Sequence, residues 1–113
     1  MAGRYIVRRL SILLVTILIT LCVSAQINTD RMMVVGRNAL YFEDYVLSSQ
    51  NFNQIANAKP YMSEPYFYRA IAKLSLEDCR GAEEGCNSSI ERNPFVVDSY
   101  QIRGVAKIYQ GKC

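Results

Sequence analysis

The sequence predicts an all-α fold, an α-α superhelix (solenoid) of antiparallel helical hairpins with about two and a half repeats, preceded by an N-terminal signal peptide. Similar residues recur at a fixed interval of 34 positions, which is typical of a repeat architecture. Within each interval, apolar residues follow the spacing of amphipathic helices. A basic and then apolar N-terminal segment is typical of an export signal.

The first 25 residues form the predicted signal peptide. Residues 10–23 are largely apolar, Ser24 and Ala25 supply the small residues that a signal peptidase requires, and Gln26 becomes the new N-terminus. The positive charge before the apolar run comes from three arginines, Arg4, Arg8 and Arg9. The alternative is an uncleaved membrane anchor through residues 5–23. We therefore expect an exported protein, periplasmic or at the cell surface, or a membrane-anchored one if the signal is retained.

Charge and size limit the function of residues 26–113. The whole chain carries a net charge of +3, but the arginines of the signal supply that excess, and the rest holds ten basic and ten acidic residues. No basic surface is predicted, and nucleic acid is therefore not an expected partner. A segment of this length forms one small domain.

The repeat is clearest around two prolines and three small residues. Pro60 and Pro94 lie 34 residues apart, and Gly36, Ala70 and Gly104 fall in the same register. Other matching sets are Met32 with Tyr66 and Tyr100, Tyr45 with Cys79 and Cys113, and residues 69–73 with residues 103–107. So many matches at a single offset indicate a structural repeat.

Each repeat is predicted to contain two helices. The first helices are expected near residues 29–42, 63–76 and 97–110, and the second helices near residues 45–58 and 79–92. Acidic pairs separate the two helices of a unit, and each second helix ends just before a proline, which cannot continue it. At the start of the second unit, Ser63 is expected to cap the backbone amides, Glu64 suits the positive helix end, and Pro65 is tolerated in the first turn.

Small residues predict where the paired helices approach one another. On the first helices these are Gly36, Ala70 and Gly104, and on the second helices they are Ser48 and Ala82. Aromatic residues such as Phe52 are expected to fill the spaces between hairpins. Replacing Ala82 with leucine would overpack such a contact, at a cost of about 1–3 kcal/mol.

These residues resemble the tetratricopeptide repeat family, apparently of the bacterial exported type. The resemblance spans two units, residues 29–62 and 63–96, and part of a third, residues 97–113, within a domain expected to cover residues 26–113. The matching residues are Gly36, Tyr45, Phe52, Pro60, Tyr66, Ala70, Ala82, Pro94, Tyr100, Gly104 and Gly111. Departures from the family pattern occur at Ile55, Cys86 and Ser89.

Nothing in the sequence predicts catalysis, a metal site or a cofactor. There is no histidine, so the commonest general base and metal ligand is absent. The acidic pairs Glu43-Asp44 and Glu77-Asp78 are expected in hairpin turns, and Glu83-Glu84 on a helix surface. We therefore expect a protein that is not an enzyme.

The cysteines do not form an obvious framework. If Cys79 and Cys86 lie on one helix, a rise of about 1.5 Å per residue separates them by roughly 10 Å, whereas disulfide-linked Cα atoms lie about 4.4–6.8 Å apart. Cys86 is therefore expected to be a small core residue, and Cys79 and Cys113 to replace the tyrosine seen at Tyr45. Some thiol pairing stays open because exported proteins meet oxidising conditions.

The resemblance implies that the first helices line a concave face that binds another protein or a peptide segment. The groove positions are Met33, Arg37, Leu40, Tyr41, Phe67, Tyr68, Ile71, Leu74, Gln101, Ile102, Val105, Ile108 and Tyr109. Apolar side chains dominate, which is typical of a binding surface, although some could instead pack against further helices. Some family members hold a partner's terminal carboxylate, but only Arg37 could contribute here, so an apolar segment or helix is the expected ligand.

Two expectations concern the third unit and the assembly. The third unit stops after its first helix, which leaves the helix at residues 97–110 uncapped and is expected for either a truncated gene product or a natural N-terminal fragment that pairs through this face. The chain is therefore expected to be marginally folded or to self-associate through that helix. The two hypotheses are a non-catalytic interaction scaffold outside the cytoplasm, and a signal-anchored structural subunit of an envelope complex that assembles through its repeats.

Overall fold

A computed structural model describes residues 2–112, except for the side chains of residues 23–27. The described residues form five helices: α1 (Ala2–Tyr41), α2 (Tyr45–Ala58), α3 (Glu64–Ser75), α4 (Cys79–Arg92) and α5 (Val97–Tyr109). The bounds of α2 to α5 agree with the predicted ranges to within one residue. Consecutive helices pack as neighbours from α2 to α5, and α3 also contacts α5. The all-α solenoid prediction is confirmed.

Helix α1 differs from expectation because no break separates the N-terminal segment from the first repeat helix. The chain has no glycine or proline between Arg4 and Val35, so nothing in that stretch interrupts a helix. The chain divides into two compact parts, an N-terminal segment that ends at Asp30 and a repeat domain that begins at Arg31. Residues 2–22 of the N-terminal segment are long and apolar enough to cross a membrane, and none of them is buried.

Polar side chains in this apolar segment satisfy their hydrogen bonds within the helix. The hydroxyls of Ser11, Thr16 and Thr20 each donate to the carbonyl oxygen four residues earlier, at 2.8–3.0 Å. Such internal bonds remove the need for water around the hydroxyls. The segment is therefore compatible with an apolar environment along its length.

Both hairpin turns have the same construction. Glu43 and Glu77 adopt a left-handed backbone, with φ of 65° and 63°. The following residues cap the second helices: Asp44 accepts a hydrogen bond from the Leu47 amide, and Asp78 accepts one from the Gly81 amide. The acidic pairs therefore lie in the hairpin turns, as predicted, and their aspartates also cap the second helices.

The start of α3 corrects one prediction. Pro65 does lie in the first turn of α3, but the Ser63 side chain makes no capping hydrogen bond. Its hydroxyl instead lies 3.0 Å from the carbonyl oxygen of Ser89 and 2.8 Å from the Ser89 hydroxyl. Ser63 has a helical backbone conformation rather than that of a typical N-cap, and its hydroxyl ties the start of α3 to α4.

Small residues mark close approaches between paired helices at Gly36, Ser48 and Ala70, as predicted, whereas the prediction is wrong at Gly104, where an added Cβ atom would meet nothing within 4 Å. A Cβ atom added to Gly36 would lie 2.8 Å from the Phe52 ring, and the Ser48 hydroxyl donates to the Gly36 carbonyl oxygen at 3.0 Å. In the second unit, a Cβ atom on Gly85 would lie 3.0 Å from the Ala70 Cβ atom. Phe52 is fully buried and forms the core of the first unit with Ile55 and Met33.

The cysteines occupy different environments. Cys86 is a fully buried free thiol, which confirms its role as a core residue, and burial raises its pKa from 9.0 to about 11. Cys79 takes part in a disulfide, whereas Cys22 is a free, exposed thiol. Cys113 lies outside the described residues.

Candidate functional site

A repeated pair of side chains links each second helix to the first helix of the next unit. The Arg69 guanidinium donates to the Asn53 side-chain oxygen at 2.8 Å, and Arg103 donates to Asn87 at 3.2 Å. The two pairs are related by the 34-residue period. We call them the Arg–Asn pairs, and they fix α3 beside α2 and α5 beside α4.

Tyrosines support the same junctions. The Tyr66 hydroxyl donates to the Pro60 carbonyl oxygen at 3.1 Å, and the Tyr100 hydroxyl donates to that of Pro94 at 2.9 Å. Arg69 also lies over the Tyr66 ring, 5.2 Å from its centre, and Arg103 has the same relation to Tyr100. The tyrosines, prolines and arginines were recognised as repeated in the sequence, but their partners Asn53 and Asn87 were missed.

Aromatic stacking holds the predicted groove residues of α3 against the first unit. The Tyr68 ring stacks on the Phe52 ring with centres 5.3 Å apart and an interplanar angle of 21°. Phe67 lies beside Tyr68 at 5.4 Å. Tyr68 also packs against the buried cluster that contains Met33. This stack therefore brings together predicted groove residues of α1 and α3.

The thirteen predicted groove residues differ in their exposure. Met33 is buried, whereas Arg37, Tyr41, Gln101, Ile108 and Tyr109 are exposed. The partly exposed residues are Leu40, Phe67, Tyr68, Ile71, Leu74, Ile102 and Val105. The partly exposed apolar residues among them bury part of their side chain in the protein and leave the rest accessible to a ligand.

At one end of α3 and α5, two predicted groove residues share a cleft. Leu74 and Tyr109 line a cleft of about 310 Å³ together with Glu77, Cys79 and Lys112. The direct contact between α3 and α5 accounts for this proximity. The cleft joins the apolar side chains of Leu74 and Tyr109 to the charged side chains of Glu77 and Lys112.

The charge of the groove argues against capture of a terminal carboxylate. Among the thirteen predicted groove residues, only Arg37 is cationic, and it is exposed. Met33 is buried, and Tyr68 is engaged by Phe52. Within residues 2–112, no group of three or more histidine, cysteine, aspartate or glutamate side chains is placed to hold a metal ion.

Comparisons with known proteins support the fold. The structure is similar to that described as the TPR2B-domain:pHsp70-complex of yeast Sti1, with a TM-score of 0.71 and 21% sequence identity. The match covers 74% of this chain and 67% of that one. No family model matches the sequence, and no curated protein matches it. The structural likeness, the five helices and the 34-residue period together identify the fold as that of the tetratricopeptide repeat.

Proposed function

We propose that the chain is a non-catalytic scaffold that binds a segment of another protein along the first helices of its repeats, outside the cytoplasm. The observation that carries this proposal is the row of partly exposed apolar side chains on α3 and α5. They are Phe67, Ile71, Leu74, Ile102 and Val105. Anchored apolar side chains that stay accessible are typical of the residues that dominate protein interfaces.

The Arg–Asn pairs support this function by holding the row in place. Each pair ties a first helix to the preceding second helix, so the spacing between first helices is set by the fold. A surface that is ordered before binding loses little conformational entropy when the partner arrives. The structurally similar domain of yeast Sti1 is described in a complex with pHsp70, so a protein with this fold can bind a partner.

The chemistry of the row favours an apolar helix or extended segment as the ligand. Aliphatic and aromatic side chains bind such a segment by burial of apolar area, at about 25 cal/mol per Å² before the costs of association. Since Arg37 is the single cation among the predicted groove residues, a free C-terminus on the ligand contributes little. Amidation of the ligand's C-terminus is therefore expected to leave its affinity unchanged.

Export is supported by two independent features. The N-terminal segment has the basic and apolar pattern of a signal. In addition, Cys79 takes part in a disulfide, and disulfides persist in oxidising compartments rather than in the cytosol. Both features favour an extracytoplasmic location.

The alternative is a signal-anchored structural subunit of an envelope complex. The specific observation that favours it is the exposed apolar helical segment of residues 2–22, which is long enough to cross a membrane. In that case the repeats would assemble with one another or with an envelope complex at the membrane surface.

A displayed library of random 12-residue peptides tests the scaffold function. We expect the purified chain to enrich apolar peptides, and Ile71→Glu or Val105→Glu to reduce their binding at least tenfold, because a charge would be buried against apolar side chains. Gln54→Glu places the same charge on an exposed position of α2 and is the matched control, expected to bind normally. Enrichment that all three variants retain would place binding elsewhere, and no enrichment would contradict the proposal.

A further inference from the structure

The disulfide of Cys79 points to one other cysteine of the sequence. The chain contains four cysteines, of which Cys22 and Cys86 are free thiols and Cys79 is disulfide-bonded. The cysteine that remains is Cys113. Because Cys79 is only 2% exposed, its sulfur is poorly accessible to a second copy of the chain, which favours a bond within one molecule.

The end of α5 lies close to Cys79. Tyr109 and Lys112 line the cleft of about 310 Å³ together with Cys79, and Gln110 lines a second cleft with it, of about 250 Å³. Lys112 directly precedes Cys113 in the sequence, and the Cα atoms of successive residues are about 3.8 Å apart. Residue 113 therefore follows a residue that already lies at the Cys79 cleft.

Two side chains connect the same end of α5 to α4. The Lys107 ammonium lies 3.8 Å from one carboxylate oxygen of Glu83, and the Gln110 side-chain amide donates to the other. Both contacts are near the surface, where the Lys107 side chain is 56% exposed, so each is weak. They place the end of α5 beside α4, but a covalent bond would hold it there far more firmly.

The turn that follows α5 differs from the two hairpin turns. Gly111 occupies the repeat position of Glu43 and Glu77, which have φ of 65° and 63°. Gly111 does not have a positive φ, although glycine adopts that conformation more easily than glutamate does. The residue type therefore does not cause the departure, and another constraint directs the chain at this point.

The backbone hydrogen bonds show the same departure. In the second unit, the Asp78 amide donates to the Lys73 carbonyl oxygen, five residues earlier, at 2.8 Å. The Lys112 amide stands at the equivalent position, but it donates to the Tyr109 carbonyl oxygen, three residues earlier, at 2.8 Å. The chain therefore turns more tightly after α5 than it does after α3.

Such a departure is what a bond between Cys79 and Cys113 requires. The two cysteines are equivalent by the 34-residue period, and Cys79 begins α4. In a regular repeat, a helix that began at residue 113 would stand at least one helix spacing from α4, about 8–10 Å between axes. Disulfide-linked Cα atoms lie about 4.4–6.8 Å apart. The regular path would therefore leave the two cysteines too far apart, whereas a tighter turn can bring them within reach.

We propose that Cys79 and Cys113 form a redox latch, a disulfide that fastens the end of α5 to the start of α4 when oxidised and releases it when reduced. When the bond forms, the two thiols lose two protons and two electrons. Thiol–disulfide exchange passes the electrons to a disulfide of an oxidoreductase or of oxidised glutathione, which becomes two thiols. This control goes beyond the proposed groove function, and it would fix Tyr109, a predicted groove residue, in oxidising compartments alone.

Peptide mapping tests the bond. The purified full-length chain in detergent is equilibrated with oxidised glutathione, its free thiols are alkylated in urea, and it is digested with trypsin without reductant. We expect residues 74–80, which contain Cys79, to be recovered in disulfide linkage to Cys113. Residues 81–92, which contain Cys86, should carry the alkyl group of a free thiol.

Hydrogen exchange tests the release of the helix end. We expect dithiothreitol to speed the exchange of the amides of residues 105–109 about tenfold or more, because a released helix end opens more often. Cys113→Ser should have the same effect without reductant and should no longer respond to it. The amides of residues 82–90 in α4 should stay protected, which verifies that the variant is folded.

Cys22→Ser is the matched control, because it makes the same atomic change at a free, exposed thiol. It should keep both the slow exchange of residues 105–109 and their response to dithiothreitol. Linkage of Cys79 to another cysteine, a dimer that depends on Cys79 in non-reducing electrophoresis, or exchange that reduction leaves unchanged would each overturn the proposal. No ligand enters these measurements, so a failure of the groove proposal is distinguishable from a failure of the latch.

Discussion

Three glycines in this chain have the same chemistry but different surroundings. Gly85 lies against Ala70 and the backbone of Tyr66, Gly36 lies against the Phe52 ring, and Gly104 has open space beside it. The value of a glycine in a helix is a balance between close packing, which needs the absence of a side chain, and helix propensity, which disfavours it. The balance differs at each position.

Alanine substitution at two of these glycines should therefore have opposite effects. At Gly104 we expect the free energy of unfolding to rise by about 0.5–1 kcal/mol, since alanine improves helix propensity without a clash. At Gly85 we expect a fall of about 1 kcal/mol or more, because the new Cβ atom would press on a fixed backbone and an alanine Cβ. Urea denaturation of both variants measures this. Changes of the same sign in the two variants would contradict the difference in packing between Gly85 and Gly104.

At this scale the sequence predicts positions better than contacts. The repeat aligns Gly36, Ala70 and Gly104, and the first two lie at close approaches between helices whereas Gly104 does not. Gly85 was missed because it has no counterpart in the period, and its role depends on where α4 crosses α3. Ser63 was assigned to a cap from its position alone, whereas its hydroxyl is engaged by Ser89.

At the scale of helices, the Arg–Asn pairs define how one hairpin follows another. Both pairs are exposed, so each hydrogen bond contributes modestly, at about 0.5–1.5 kcal/mol. Their effect is mainly on geometry, because they fix the distance and rotation between a second helix and the next first helix. The stacking of each arginine on a tyrosine adds about 0.5–1 kcal/mol at exposed sites.

A double-mutant cycle on Asn87 and Arg103 tests this coupling. We expect Arg103→Ala to lower the free energy of unfolding by about 1 kcal/mol, and Asn87→Ala to add little once Arg103 is gone. The coupling energy between the two should be about 0.5–1 kcal/mol. Asn57→Ala, on the exposed side of α2, is the control and should show no coupling with Arg103→Ala. If the effects of Asn87→Ala and Arg103→Ala on the free energy of unfolding were purely additive, the two side chains would not stabilise the protein as a pair.

Helix positions were largely predictable because they depend on local signals. Prolines end α2 and α4, aspartates cap their starts, and the apolar spacing defines their buried sides. The pairing of Asn53 with Arg69 was not predicted, although both residues recur after 34 positions. Polar residues on helix surfaces carry no periodic hydrophobic signal, so their partners emerge only once the helices are placed.

At the scale of the whole molecule, the N-terminal segment decides between the two functional hypotheses. A cleaved signal releases a neutral domain of repeats, whereas a retained one leaves the repeats attached to a membrane. Residues 2–22 would serve as the signal in the first case and as the anchor in the second, and their apolar side chains are exposed along the helix. Length and hydropathy alone are shared by signals and anchors.

Intact-mass spectrometry of the natively expressed protein, fractionated into soluble and membrane pools, separates these outcomes. We expect a soluble species that begins at Gln26, since Ser24 and Ala25 provide a suitable cleavage site. Replacing Ala25 with a bulky residue such as tyrosine should block processing and move the protein to the membrane pool. A membrane species that retains Met1 in the unmodified protein would instead favour the anchored subunit.

The groove itself was predictable only in outline. The resemblance to a repeat family implied which helix faces would carry the ligand, and the partly exposed residues on α3 and α5 lie there. The burial of Met33 and the stacking of Tyr68 on Phe52 depend on three-dimensional packing in the first repeat, which the spacing of apolar residues does not specify. Which of the thirteen residues bind a partner stays a prediction.

The Arg–Asn pairs also bear on how the chain reaches its folded state. Each pair joins residues 16 positions apart, so the loop that must close is short and its entropic cost is small. Chains whose contacts are this local fold in microseconds to milliseconds, and linear repeats can begin folding in any unit and extend to the next. If the chain is exported as we propose, its repeats would thus form one after another as they emerge from a translocation channel, before the whole domain has crossed.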